Sequence, residues 1–282
     1  MLGMQIPSNL VSDSALVQET FELICASGGR ATFIDVAENV FRLTNADKQL
    51  ASALTIDLIQ NDPRFIIDTD FIQAAADESE SAALHEIDFV VLDVEAVNDL
   101  ASSQRIIELA AYRVRNGQIL EEFQTLVNPE LRVPRFVAEL TGISEDMLKP
   151  APKFVEIMAA WLDFIDHAVL VAHNTSFDLQ LLNREIARVY PGLRLRNSAL
   201  CTVNLARRLV PQLANHKLDS LAAHFGVQIP RRHRAPDDAL ATARIFLRLL
   251  HELSVNGICT LAQARTFQTK LEVGEMQLAF DT

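Results

Sequence analysis

The chain has 282 residues, 49% of them apolar, and a net charge of −12; that is material for one large or two ordinary packed domains and excludes global disorder. Three cysteines, Cys25, Cys201 and Cys259, far apart and odd in number, argue against a disulfide framework, and without a signal peptide or any run near the roughly 18 apolar residues of a membrane span, a soluble cytoplasmic protein with no membrane partner is expected. Residues 1–85 carry 4 Lys and Arg against 13 Asp and Glu, and residues 86–282 carry 21 against 24, so neither part has the basic footprint of a tight duplex binder.

In chain order, Leu16–Ser27 has helical apolar spacing and stops at Gly28-Gly29. Thr32 opens T-x-x-D ahead of a helix over Phe33–Leu43, and Thr44 opens a second T-x-x-D ahead of Ala46–Gln60. Asp62-Pro63 turns the chain, and Arg64–Asp68 and Phe71–Gln73 can pair around Thr69-Asp70. Three helices and a hairpin are the order of a winged helix, and the NDPRF stretch leading into the hairpin resembles winged helix-turn-helix domains. The acidic, alanine-rich Ala74–Glu86 lacks useful periodicity and reads as a linker. The expected division is 1–73 as a winged-helix-like domain, 74–86 as linker, 87–253 as an α/β domain and 254–282 as a tail.

After the linker, Phe89–Glu95 is an apolar strand. Arg105–Arg115 and Gln118–Val127 flank Asn116-Gly117, a strong hairpin signal. Helices are expected near 134–140, 151–166, 177–189, 203–210 and 217–225, with a short strand at Ala168–Ala172. The last strong helix is Pro236–Leu253, with proline in its first turn. The pattern is α/β, a mixed sheet covered by helices.

Three short stretches carry chemistry. Asp93 and Glu95 close the first strand; at i and i+2 they share one face, where two carboxylates repel unless a cation lies between them, and hard divalent ions take such ligands. A solvated strand end would look the same. In Val169–Asp178 (VLVAHNTSFD) a strand ends, a polar turn follows and Asp178 falls in the first turn of a helix, where the dipole alone stabilises a carboxylate by roughly 0.3–1 kcal/mol. In His233–Asp238 (HRAPDD), Asp238 shares a stripe with Ala241, Ile245 and Leu249, while Asp237 points along another stripe, toward Arg244. His233 lies on the loop before the helix, free to swing.

D-x-E at a first strand, H-N-x-x-F-D after a later strand and H-x-x-x-x-D at a final helix resemble the motifs of the DEDDh (DnaQ-like) 3′→5′ exonuclease family, most of all the proofreading epsilon subunit of bacterial DNA polymerase III. The resemblance covers roughly residues 87–250, including Leu140-Thr141-Gly142-Ile143 and the C-T-x-x-L-A-R run at 201–207. It implies a ribonuclease H-like mixed sheet flanked by helices, preceded by the small winged-helix-like domain. It also implies two Mg²⁺ or Mn²⁺ ions held by Asp93, Glu95, Asp178 and Asp238, with Asp93 bridging them. His233 would deprotonate the attacking water, as suits its ordinary pKa of about 6.5. The activity implied is hydrolysis of DNA from a single-stranded or frayed 3′ end, proofreading- or repair-like, releasing nucleoside 5′-monophosphates. An RNA 3′→5′ exonuclease of the same superfamily and a non-catalytic DNA-binding or interaction protein are the alternatives.

The family usually continues D-x-E with threonine and glycine; here Ala96-Val97-Asn98-Asp99 follows, which leaves the contacts to the terminal sugar open. Candidate substrate contacts are Ala96, Leu140, Thr141, His173, Asn174 and Phe177; Asn174 and Phe177 equally suit shaping of their turn, and the L-T-G-I stretch a helix-connecting turn. Two partner surfaces are expected: residues 1–73, whose acidity favours a protein, and Glu275–Phe280 (EMQLAF), which resembles the hexapeptide by which polymerase subunits bind the sliding clamp, with Glu275 in place of the usual glutamine.

Overall fold

A computed structural model describes residues 7–75, 78–98 and 104–269. The chain forms two compact units, Met1–Asp77 with Ile186–Arg196, and Glu78–Glu185 with Asn197–Thr282.

In the first unit, β1 (Leu10–Ser12) is followed by α1 (Ala15–Ala26), β2 (Arg30–Thr32), α2 (Phe33–Asn39), α3 (Lys48–Ile59), β3 (Phe65–Ile67) and β4 (Phe71–Ala74). The hairpin forms as the sequence suggests, and β2 joins it to give a sheet in the order β2-β4-β3. β2 is a strand the sequence hides, three residues between a Gly-Gly stop and a helix cap. Thr32 makes the expected capping box: its hydroxyl accepts the Asp35 N–H at 3.1 Å and Asp35 accepts the Thr32 N–H at 2.7 Å. The second T-x-x-D works differently, because Asp47, not Thr44, caps α3 by accepting the Leu50 N–H at 2.8 Å. Ile24, Phe33, Val36, Ile59 and Ile72 fill the core. β1 pairs antiparallel with Leu193–Leu195, far along the chain, a pairing between three-residue strands that no local pattern announces.

The second unit contains β5 (Phe89–Asn98), β6 (Gln104–Arg115), β7 (Gln118–Leu126), α4 (Arg135–Thr141), α5 (Glu145–Leu148), α6 (Phe154–Ile165), β8 (Val169–Ala172) and α7 (Thr175–Val189). After β9 (Leu193–Leu195), already met in the first unit, come β10 (Ala199–Cys201), α8 (Thr202–Leu209), α9 (Leu218–Phe225), α10 (Ala235–Val255) and α11 (Leu261–Thr269). The sheet runs β10-β8-β5-β6-β7. β10, β8 and β5 are parallel; β6 and β7 are antiparallel additions.

Strand alternation decides what each face of β5 meets. Phe89 and Val91 pack on Ala239, Ala243, Phe246 and Leu249 of α10, with the Phe89 and Phe246 rings edge to face at 4.9 Å. Asp93 and Glu95 continue this same face. The β5–β6 register then shifts between Glu95 and Ala96, where Ile107 of β6 is left without a partner in β5, and Val97 packs with Ile107, Val137, Ile143 and Leu148. This irregularity of β6 falls opposite the residues that follow the second carboxylate.

Two stretches that read as irregular are structured. Glu78–Ser81 is a short 3₁₀ helix, Ala83 bridges Thr260, and Leu84 is buried in the core. Leu261–Thr269, part of the expected tail, is a helix that buries Leu261 and Ala264. Glu275–Phe280 lies outside the described residues. Among the described residues no helix is long and apolar enough to cross a membrane.

Candidate active site

Four carboxylates from three elements converge at the end of the α10-facing run of β5. Asp178 enters from the first turn of α7 and Asp238 from the first turn of α10. Both are buried although acidic, 4% and 3% exposed, so helix-end solvation does not account for them. Asp178 accepts the backbone N–H of Val94, between the two β5 carboxylates. Ligand atoms of Glu95, His233 and Asp238 all lie within 4.8 Å of one another.

Burial and mutual repulsion set the electrostatics. Asp93 is pushed well above the usual carboxylate range by burial first, then by Asp178, Glu95 and Asp238. Burial, Asp238 and Glu108 raise Glu95 to about 7. Burial raises Asp178, and its hydrogen bond to Val94 only partly offsets this. Burial also raises Asp238, against the pull of Arg232. Such a cluster is costly with protein groups alone. Asp238 shows what would relieve it. Its Oδ2 accepts the His233 N–H at 2.9 Å and the Arg232 guanidinium, while its buried Oδ1 has no hydrogen-bond partner. An unpartnered carboxylate oxygen among four acids fits a hard divalent cation.

His233 is not on a free loop. It has φ +61°, the left-handed region, which costs a non-glycine residue about 1 kcal/mol or more, and its neighbours on both sides are tied down. Arg232 reaches Asp219 at 2.7 Å as well as Asp238. Arg234 forms a fork with Glu108, at 2.6 and 3.0 Å. Asp237, expected to point toward Arg244, pairs instead with Arg231 at 2.7 Å.

The other candidate positions divide. Asn174, at φ +79°, makes the turn between β8 and α7, and Thr175 ties that turn to the carbonyls of Ala172 and Leu200. Nδ1 of His173 lies 3.0 Å from the Thr202 hydroxyl, and burial, with the Arg232 charge, lowers its pKa to about 4, so it is neutral near pH 7. Thr141 is buried and bonds to the Val137 carbonyl and the Ile143 N–H, both within its own turn. Leu140 and Phe177 are exposed, 53% and 43%. Ala96 follows the register shift, half-buried. Glu108, Arg232 and Arg234 also act on Glu95 electrostatically, and no local motif marks the two arginines. The available signal was Glu108, a charge inside the apolar run of β6.

A mixed sheet in this order, flanked by helices and carrying acids at the end of its first long strand, is the ribonuclease H-like architecture. A 3′-exonuclease described by its recognition of the 3′ end of a histone mRNA stem-loop shares the fold, with a TM-score of 0.51 at 19% identity over 60% of this chain and 83% of that one. The exonuclease family model matches residues 90–246. The DNA polymerase III epsilon subunit of Aquifex aeolicus is 38% identical over 165 residues, 58% of this chain and 81% of the relative. The PolC-type DNA polymerase III of Caldanaerobacter subterraneus is 38% identical over 199 residues, 71% of this chain but 14% of the polymerase. The chain belongs to the exonuclease family.

Proposed function

We propose that the protein is a metal-dependent 3′→5′ exodeoxyribonuclease that shortens single-stranded or frayed DNA ends and releases nucleoside 5′-monophosphates. The observation that carries this reading is the buried, unpartnered Oδ1 of Asp238 within a cluster of four acids. Asp93, Glu95, Asp178 and Asp238 would hold two Mg²⁺ or Mn²⁺ ions. Such ions, when bound, supply a strong nucleophile at neutral pH and stabilise the leaving 3′ oxygen. His233 takes the proton of the attacking water. Its backbone bond to Asp238 keeps base and acid cluster in register. Exposed Phe177 offers a stacking surface and exposed Leu140 an apolar contact to the terminal base. Ala96 and His173 flank the acids, whereas Thr141 and Asn174 act through the shape of their turns.

The DNA polymerase III relatives favour DNA and a proofreading- or repair-like role; the stem-loop-binding neighbour keeps RNA as the second reading. For residues 1–73 we propose a winged-helix-like module that contacts protein. Its cations are largely committed: Arg64 is buried against Asp62, Lys48 pairs with Asp70, and Arg42 bonds to the Asn39 carbonyl. Phosphate neutralisation supplies most non-specific DNA affinity, and little remains for it there. Glu275–Phe280 is proposed as a sliding-clamp peptide. The substrate test is 5′-labelled DNA and RNA oligonucleotides of one sequence with Mg²⁺ or Mn²⁺. Faster shortening of DNA supports the reading; faster shortening of RNA replaces it with the second.

A further inference from the structure

We propose that Glu108 and Arg234 are a positioning pair that holds His233 in its working conformation; the proposal rests on the reading of His233 as the base. Glu108 is 2% exposed and stands directly opposite Glu95 in the β5–β6 ladder. Like charges directly opposite one another destabilise a sheet, so a further acid beside the cluster is unfavourable unless something compensates. Both of its oxygens are turned to the His233 loop. Oε1 accepts Arg234 Nη2 at 2.6 Å, and Oε2 accepts Arg234 Nε at 3.0 Å and the backbone N–H of Ala235 at 2.9 Å. The pair therefore anchors the loop on the C-terminal side of His233 to a central strand.

The N-terminal side is anchored elsewhere. Arg232 connects Asp219 of α9 to Asp238 of α10. His233 thus sits, at φ +61°, between two residues fixed to different elements. Positive φ is uncommon for a residue with a side chain, and contacts on both sides stabilise it here. The bidentate fork matters here, because Arg and Lys are not interchangeable at a two-point carboxylate contact. Arg234 also neutralises Glu108, so the anchor adds no net charge to the metal-binding acids.

The test uses the full chain with Glu108→Gln and, in case that variant folds poorly, Arg234→Lys, each alone and combined with His233→Ala. If the pair acts through His233, either variant should lower kcat about 30-fold in the parent and less than about 2-fold beside His233→Ala, since residues acting as a unit are not additive. KM and the Mn²⁺ affinity measured by titration calorimetry should stay within about 3-fold. Independently of activity, amide exchange over residues 231–235 should quicken at least about 10-fold, with β5 and the middle of α10 unchanged. Equal loss of kcat in both backgrounds, or unchanged exchange in the loop, overturns the proposal. Should the parent cleave no oligonucleotide, the exonuclease reading fails, and the exchange experiment alone decides whether the pair holds the loop.

Discussion

At the scale of residues, the proposed mechanism gives the acids and the histidine different roles, which substitutions should separate. Asp93→Ala or Asp238→Asn is expected to cost at least about 10³-fold in kcat, because electrostatic stabilisation is usually the largest single contribution to catalysis. His233→Ala should cost roughly 10²–10⁴-fold while calorimetric Mn²⁺ binding survives; loss of binding instead would make His233 a ligand. The sequence located the strand that carries Asp93 and Glu95 and the first helical turns that carry Asp178 and Asp238, although β5 continues past Glu95 to Asn98. Glu108, Arg232 and Arg234 were not legible there. Their roles depend on pairing across 126 residues for Arg234 and Glu108 and on the α9 partner of Arg232, and a single sequence does not encode such distances. The L-T-G-I stretch was half legible: it could mark a substrate contact or a turn, and the side chains of Leu140 and Thr141 point to different answers.

At the scale of elements, the first unit is pinned by one buried ion pair. Asp62 accepts the Ser12 N–H at 3.0 Å and the Arg64 backbone N–H and guanidinium, and Arg64 continues to Gln18 of α1 at 2.9 Å and to the Phe21 ring. Burial alone would raise the Asp62 pKa, but the Arg64 and Ser12 bonds hold it below the usual carboxylate range. A depressed folded-state pKa gives stability that is full above the ordinary carboxylate pKa and lost as pH falls through the folded value. Asp62→Asn should therefore destabilise this unit by about 3 kcal/mol at neutral pH, since removing one partner strands the other charge, and the deficit should shrink below about pH 4. Amide exchange in α1 as a function of pH checks both; a deficit independent of pH contradicts the ion-pair account. The sequence revealed α1 to α3 and the hairpin through local signals. It hid β1, β2, β9, β10 and α11, because strands of three residues and a helix of weak polarity leave little periodicity to read.

At the scale of the whole molecule, the proposed activity requires a chain of net charge −12 to grip a polyanion chiefly through bound cations and a few arginines. Neutralising two cations of residues 1–73 with Arg30→Gln and Arg42→Gln should leave DNA affinity and its salt dependence unchanged in the full chain; a shallower salt slope would assign that segment to DNA. A synthetic peptide of residues 271–282 should bind a sliding clamp more tightly than its Leu278→Ala, Phe280→Ala counterpart, and equal binding would remove that partner. The most direct test of the central proposal follows a 5′-labelled single-stranded DNA with a free 3′ end, alongside its circular form, in Mg²⁺. The parent protein should shorten the linear strand stepwise from the 3′ end and release nucleoside 5′-monophosphates, leave the circle intact, and lose the activity with chelator or as Asp93→Ala. Cleavage of the circle, or degradation by Asp93→Ala at the parent rate, would contradict it.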